Sequence, residues 1–161
     1  MARSDNEVRV SLSVLDRLID LEPRESREAP KSRSQTLREM KAAVRRDLEW
    51  ILNTRAFIDA ADLDLEEAKR SVAVYGLPDI TGMSAQDPNE HKRLGRALEH
   101  AIRSFEPRFL NLKVFMEAPT ETQRSVRFKI EAQLDVDPAP EPIAFDTVLQ
   151  LGSGDFSVVE R

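Results

Sequence analysis

No cysteine occurs anywhere in the 161 residues. That absence removes disulfides, thiolate nucleophiles and Cys-based zinc sites together, and suits a chain that needs no oxidative stapling. Aromatic residues are scarce at 6%, so the core must rest on Leu, Val, Ile and Phe. No run approaches the roughly 18 apolar residues that would span a bilayer, and the opening MARSDNEVRV lacks the apolar centre of a signal peptide. A soluble chain in the cytoplasm, without direct membrane insertion, is the matching expectation. Nucleophile elbows, phosphate loops and zinc-helix motifs are missing too, and the glycine pairs that do occur fall in expected turns. His91 and His100, the two histidines of the chain, would face nearly opposite sides of one helix. They cannot share a metal or a proton relay there, and both are expected at the surface. Nothing calls for a cofactor or a metal.

What is present fits one domain of moderate size, with 40% apolar and 33% charged residues and a net charge of −5. Charge runs in a gradient along the chain. Residues 24–46 hold eight Lys/Arg against three acids, whereas 131–161 hold seven acids against Arg161 alone, so the molecule is expected to be polar from end to end. The basic stretch has no interleaved aromatics, and the acidic end would repel phosphate. Complementary protein surfaces therefore explain the gradient better than nucleic acid does.

Hydrophobic spacing divides the chain into helices first and strands last. SVLDRLID reads as a short docking helix with Ser11 or Ser13 as N-cap. EPRESREAPKSRSQ is too polar to repay the entropy of ordering and reads as a mobile basic linker, so residues 1–36 form an N-terminal docking segment and linker ahead of a single domain at 37–161. Leu37, Met40, Val44, Leu48, Ile51 and Leu52 form one helical stripe, and Leu94, Ala97, Leu98, Ala101, Ile102 and Phe105 a second, opened by Asp87-Pro88. Between them Asp62 or Asp64 could cap a short helix, and Tyr75-Gly76-Leu77-Pro78-Asp79 predicts a structured turn. From Asn111 the period changes to two. Strands are expected over 112–116, 126–136, 143–151 and FSVV at 156–159. The sum is an α+β domain: a small antiparallel meander of three to four strands in the C-terminal half, covered on one side by helices.

Carboxylate pairs abound (Glu66 with Glu67, Asp62 with Asp64, Asp135 with Asp137), but 29 acids yield such pairs by chance. None stands beside a sugar-binding platform. The junction AIRSFEPRFLNLKVF is more informative. Pro107 must end the helix near Ser104 or Phe105. Glu106 meets the unfavourable negative end of the helix dipole, so either it is simply solvated while Arg108 bonds the last carbonyls, or the rigid ring directs the two charges to meet partner charges, or each other, at a protein interface. Trp50 is either a half-buried rim residue or an exposed interface anchor. Arg45, Arg46 and Arg55 are either solvated or in contact with a partner.

The runs Arg45-Arg46-Asp47-Leu48-Glu49-Trp50-Ile51-Leu52-Asn53-Thr54-Arg55, Ser71 to Asp79, Phe105-Glu106-Pro107-Arg108-Phe109 and Phe145-Asp146-Thr147 resemble, in order, the TssE family of type VI secretion baseplate subunits. That family is related to the small wedge protein of contractile phage baseplates. The resemblance implies a non-enzymatic structural part, cytoplasmic, beside the wedge subunits TssF and TssG and TssK, helping to anchor a contractile sheath of TssB and TssC around an inner tube. It also implies that Glu106, Pro107 and Arg108 lie at the contact with the wedge's helical core bundle, and that a sheet edge pairs with extended sheath arms. Arg46, Trp50 and Arg55 join them as expected partner-binding residues. The alternative is a lysozyme-like peptidoglycan hydrolase, after a label the family has also carried.

Overall fold

Pattern and periodicity set most of the architecture. In a computed structural model, residues 12–19, 23, 32–58, 63–80, 87–117 and 125–161 are described. Helix α1 (Val14–Leu18) is capped by Ser13, whose hydroxyl accepts from the Asp16 N–H at 3.1 Å. Helix α2 (Arg33–Asn53) opens on a capping box in which Ser32 and Gln35 bond each other's backbone N–H. That box starts the helix inside the stretch expected to be linker. Most of the remaining linker lies outside the described residues.

Helix α3 (Pro88–Phe105) has Asp87 as N-cap, accepting from the Asn89 N–H at 2.8 Å, with Pro88 in its first turn. Strands β1 (Phe109–Met116), β2 (Ser125–Leu134), β3 (Glu141–Gln150) and β4 (Phe156–Glu160) follow as an antiparallel meander in the order β1-β2-β3-β4. This is the expected α+β class. The α2 stripe (Met40, Val44, Leu48, Ile51, Leu52) and the α3 stripe (Leu94, Leu98, Ala101, Ile102) pack with the alternate sheet residues Phe128, Ile130, Leu134, Phe145, Leu149 and Val158 into one core. The intervening β2 positions are exposed or half-buried, so one sheet face is dry and one wet.

The segment between α2 and α3 departs from expectation. Asp64 caps no helix there, preceding two 3₁₀ turns, Ala68–Arg70 and Val72–Val74, the second capped by Ser71, and Asp62 lies outside the described residues. The expected turn at 75–79 does form, fastened to the end of α2 by Leu77 N–H to the Thr54 carbonyl (2.9 Å) and Ala56 N–H to the Leu77 carbonyl (2.8 Å). Gly76 makes this possible. Its φ is +106°, and a Cβ there would lie 2.3 Å from the Thr54 carbonyl oxygen.

His91 is buried rather than at the surface, because it lies three and seven residues before Leu94 and Leu98 on the core stripe of α3. His100 is exposed. Nor is the molecule polar from end to end, since the fold lays basic α2 against the acidic sheet. Arg33 pairs with Glu141 and Lys41 with Glu160, each at 3.3 Å.

Candidate functional site

The FEPRF junction is built by the end of α3 and the start of β1. Pro107 and its predecessor end the helix at Phe105 as expected, and Glu106 becomes the C-cap, its N–H still donating to the Ile102 carbonyl at 2.8 Å. Position 106 continues the i, i+4 series Leu98, Ile102, so its side chain follows the stripe inward. Glu106 is 2% exposed. It is therefore not solvated, contrary to the first expectation; of the alternatives, the two charges of the junction meet each other.

A carboxylate so placed needs a cation, and Arg108 supplies one. Its Nε donates to Glu106 Oε1 at 2.6 Å, its Nη2 pairs with Glu106 Oε2, and its backbone N–H also reaches Oε1 at 3.2 Å. The same Nη2 donates to Asp47 Oδ2 on α2 at 2.5 Å. Asp47 Oδ1 accepts in turn from Arg46 Nε (3.0 Å) and Nη2 (2.7 Å), and Arg46 Nη1 donates to Asp16 Oδ1 on α1 at 2.8 Å. A single relay of alternating charge thus runs Glu106, Arg108, Asp47, Arg46, Asp16. It joins the α3–β1 corner to α2 and then to α1, and its middle members are partly open to solvent, with side chains 18% (Arg108), 22% (Asp47) and 33% (Arg46) exposed.

The electrostatics follow the geometry. Burial works against the charge of Arg108, but the Glu106 and Asp47 carboxylates outweigh it and raise the guanidinium above its ordinary value. The hydrogen bond from Arg46 holds Asp16 below the usual aspartate range, and Asp16 in turn raises Arg46. Burial pushes up the Tyr75 phenol, and the negative charges of Asp47 and Glu106 push it further. Arg108 Nη1 is buried without a partner among the described residues.

Of the six residues expected to bind partners, Arg46, Glu106 and Arg108 meet in this relay, and Pro107 is exposed beside them. Trp50 is 52% exposed, with the Arg46 guanidinium carbon 4.8 Å from its ring centroid, so it adjoins the relay through a cation–π contact. Arg55 stands apart. Its backbone bridges to Leu77, and its guanidinium lies against Gly154 in the β3–β4 turn.

Sequence reasoning passed over Asp47 and Asp16, although one signal was available for the first. Asp47 lies three residues after Val44 and four before Ile51, on the edge of the core stripe, where an acid needs a cation. Asn53 was passed over too: its amide pairs with both backbone groups of Phe156, at 3.0 and 2.8 Å, and ties the end of α2 to β4.

Two open grooves lie among the described residues. One, of about 500 Å³, contains Glu131 and Glu160, which are ion-paired with Lys129 and Lys41. The other, of about 540 Å³, lies between the 56–78 segment and α3, with Arg93, Arg96 and His100 in its wall and no carboxylate among the described residues that line it. Among the described residues no cluster of His, Cys, Asp or Glu could hold a metal ion, and no helix is long and apolar enough to cross a membrane.

No curated protein and no solved structure matches the chain significantly. A family model does: it is described as baseplate wedge protein gp25, and it matches residues 38–139, more than half of the chain. The match takes in the Arg46–Asp47 end of α2, the Gly76 turn, the Glu106–Arg108 corner and the first two strands. With the α+β meander and the charged corner in place, the chain belongs to the baseplate wedge protein gp25 family of structural baseplate components.

Proposed function

We propose that this chain is the TssE-type wedge subunit of a type VI secretion baseplate, a cytoplasmic structural part that binds TssF and TssG, neighbours TssK and anchors the first ring of a TssB–TssC sheath. The family match carries the reading. The four motif runs quoted above narrow it from phage-type baseplates in general to the secretion system.

The geometry supports two contact surfaces. Around the relay, Arg46, Trp50, Pro107 and Arg108 offer partly exposed charge, an aromatic face and a rigid ring, a combination suited to an interface hot spot. Glu106 acts from behind by holding Arg108 in place, and Arg55 would contribute from the far end of α2. At the sheet edge, Asn53 occupies the outward N–H and C=O of Phe156. By strand parity, Val158 and Glu160 direct their backbone groups to the same side. That short edge of β4 is where an extended sheath arm would add.

A hydrolase finds little to work with. The carboxylates nearest each other in the relay are bound by arginines, and the most buried, Glu106, cannot reach a sugar. The test is made in cells carrying the system: deleting the coding sequence is expected to abolish assembly of fluorescently tagged sheath, with recovery on complementation. Intact sheaths in the deletion strain, or soluble fragments released from cell-wall sacculi by the purified chain, would overturn the reading.

A further inference from the structure

A surface helix of a globular protein ordinarily turns its apolar face inward. Helix α1 does the reverse. Val14, Leu15, Leu18 and Ile19 are 71%, 55%, 76% and 47% exposed, and no residue of the helix is buried. At about 100° per residue, Val14 and Leu18 share one side and Asp16 lies opposite them. The side facing the domain is thus held by an acid, whose two oxygens are taken by Arg46 Nη1 at 2.8 Å and the Ser13 hydroxyl at 2.6 Å. Ahead of the helix, Leu12 packs partly against the core. A five-residue helix has no stability of its own, so the relay sets where α1 sits and which way its apolar row faces.

We propose that α1 is a docking peg, that its Val14–Leu18 row inserts into an apolar groove on a neighbouring baseplate protein, and that the relay from Glu106 to Asp16 is the mount that orients it. Resting on the function proposed above, the inference names a contact of that assembly and gives Asp16 and Asp47 positioning roles. Two observations choose the occupant. The peg is continuous with the Arg46–Trp50 surface, since one guanidinium touches both Asp16 and the indole. Arg17, exposed on α1, makes no ion pair among the described residues, so the groove has a carboxylate beside its apolar floor. Two copies meeting α1 to α1 would set Arg17 against Arg17, so the proposal places the groove on a different chain.

The experiment measures binding of the full chain to purified TssF–TssG complex, together with light scattering of the chain alone. Val14→Ser with Leu18→Ser changes only exposed side chains, so circular dichroism and melting should stay as in the wild type while affinity falls about tenfold or more. Asp16→Ala is expected to weaken binding similarly and to speed hydrogen exchange over residues 14–18, with Asp16→Glu restoring both. Wild-type binding that survives the double serine variant unchanged would overturn the peg while leaving the proposed function standing. Wild-type failure to bind the complex would remove both. A dimer of the chain alone that the serine variant dissolves would make a second copy the occupant and overturn the proposal.

Discussion

Tyr75, the one tyrosine of the chain, packs edge-on to Phe105 with ring centroids 5.0 Å apart and senses the relay through Asp47 and Glu106. Its phenol is raised by burial first and by those two charges second, so the neutral form is favoured in the folded state. The stability it contributes is complete below the ordinary phenol value and is lost as pH rises through the raised one. Alkaline titration followed by tyrosinate absorbance should place the folded chain's transition above that of the denatured chain; coincident curves would contradict the placement of Tyr75. Glu106 and Arg108 make a second case. Replacing Arg108 with alanine leaves a 2%-exposed carboxylate without its cation and is expected to cost roughly 3 kcal/mol or more in denaturant unfolding. Arg108→Ala combined with Glu106→Leu should cost less than Arg108→Ala alone, because the stranded charge is gone. A double variant worse than the single would mean that Glu106 has another partner.

Among the elements, helices and strands were legible because their burial is periodic. α2, α3 and the four strands appear where the stripes and alternations put them, displaced at most by a few residues at their ends. The 68–74 segment was not legible as two 3₁₀ turns, because three-residue turns carry no period and depend on local caps such as Ser71. Burial of Glu106 was written in the i, i+4 series from Leu98, but chemistry argued the other way, because the cation that offsets it, Arg108, is itself held in place by Asp47. The Arg108–Asp47 pair joins residues 61 apart in sequence, a spacing that no local pattern encodes. The Gly76 turn, by contrast, was legible from glycine and proline alone. Gly76→Ala would force a Cβ against the Thr54 carbonyl at positive φ, with an expected loss of about 1–3 kcal/mol. Thermal or denaturant unfolding reads this directly, and an unchanged midpoint would mean that the turn does not hold the end of α2.

For the whole molecule, the fold brings α2 against the acidic sheet, where Arg33 and Lys41 pair with Glu141 and Glu160. Ion pairs as exposed as Arg33–Glu141 contribute only about 0–1 kcal/mol each. What remains for partners is more local: the relay with Trp50 beside it, the outward row of α1 and the short β4 edge. On the proposed function, these features would serve an adaptor whose apolar and charged contacts are completed by other chains. The most direct measurement is size-exclusion chromatography with light scattering of the full-length chain mixed with TssF–TssG. The account predicts that the chain co-elutes with the complex in fixed stoichiometry, with the emission of Trp50, the only tryptophan, shifted to the blue as its exposed ring becomes covered. Elution of the chain by itself beside intact TssF–TssG, with its emission unchanged, would contradict it.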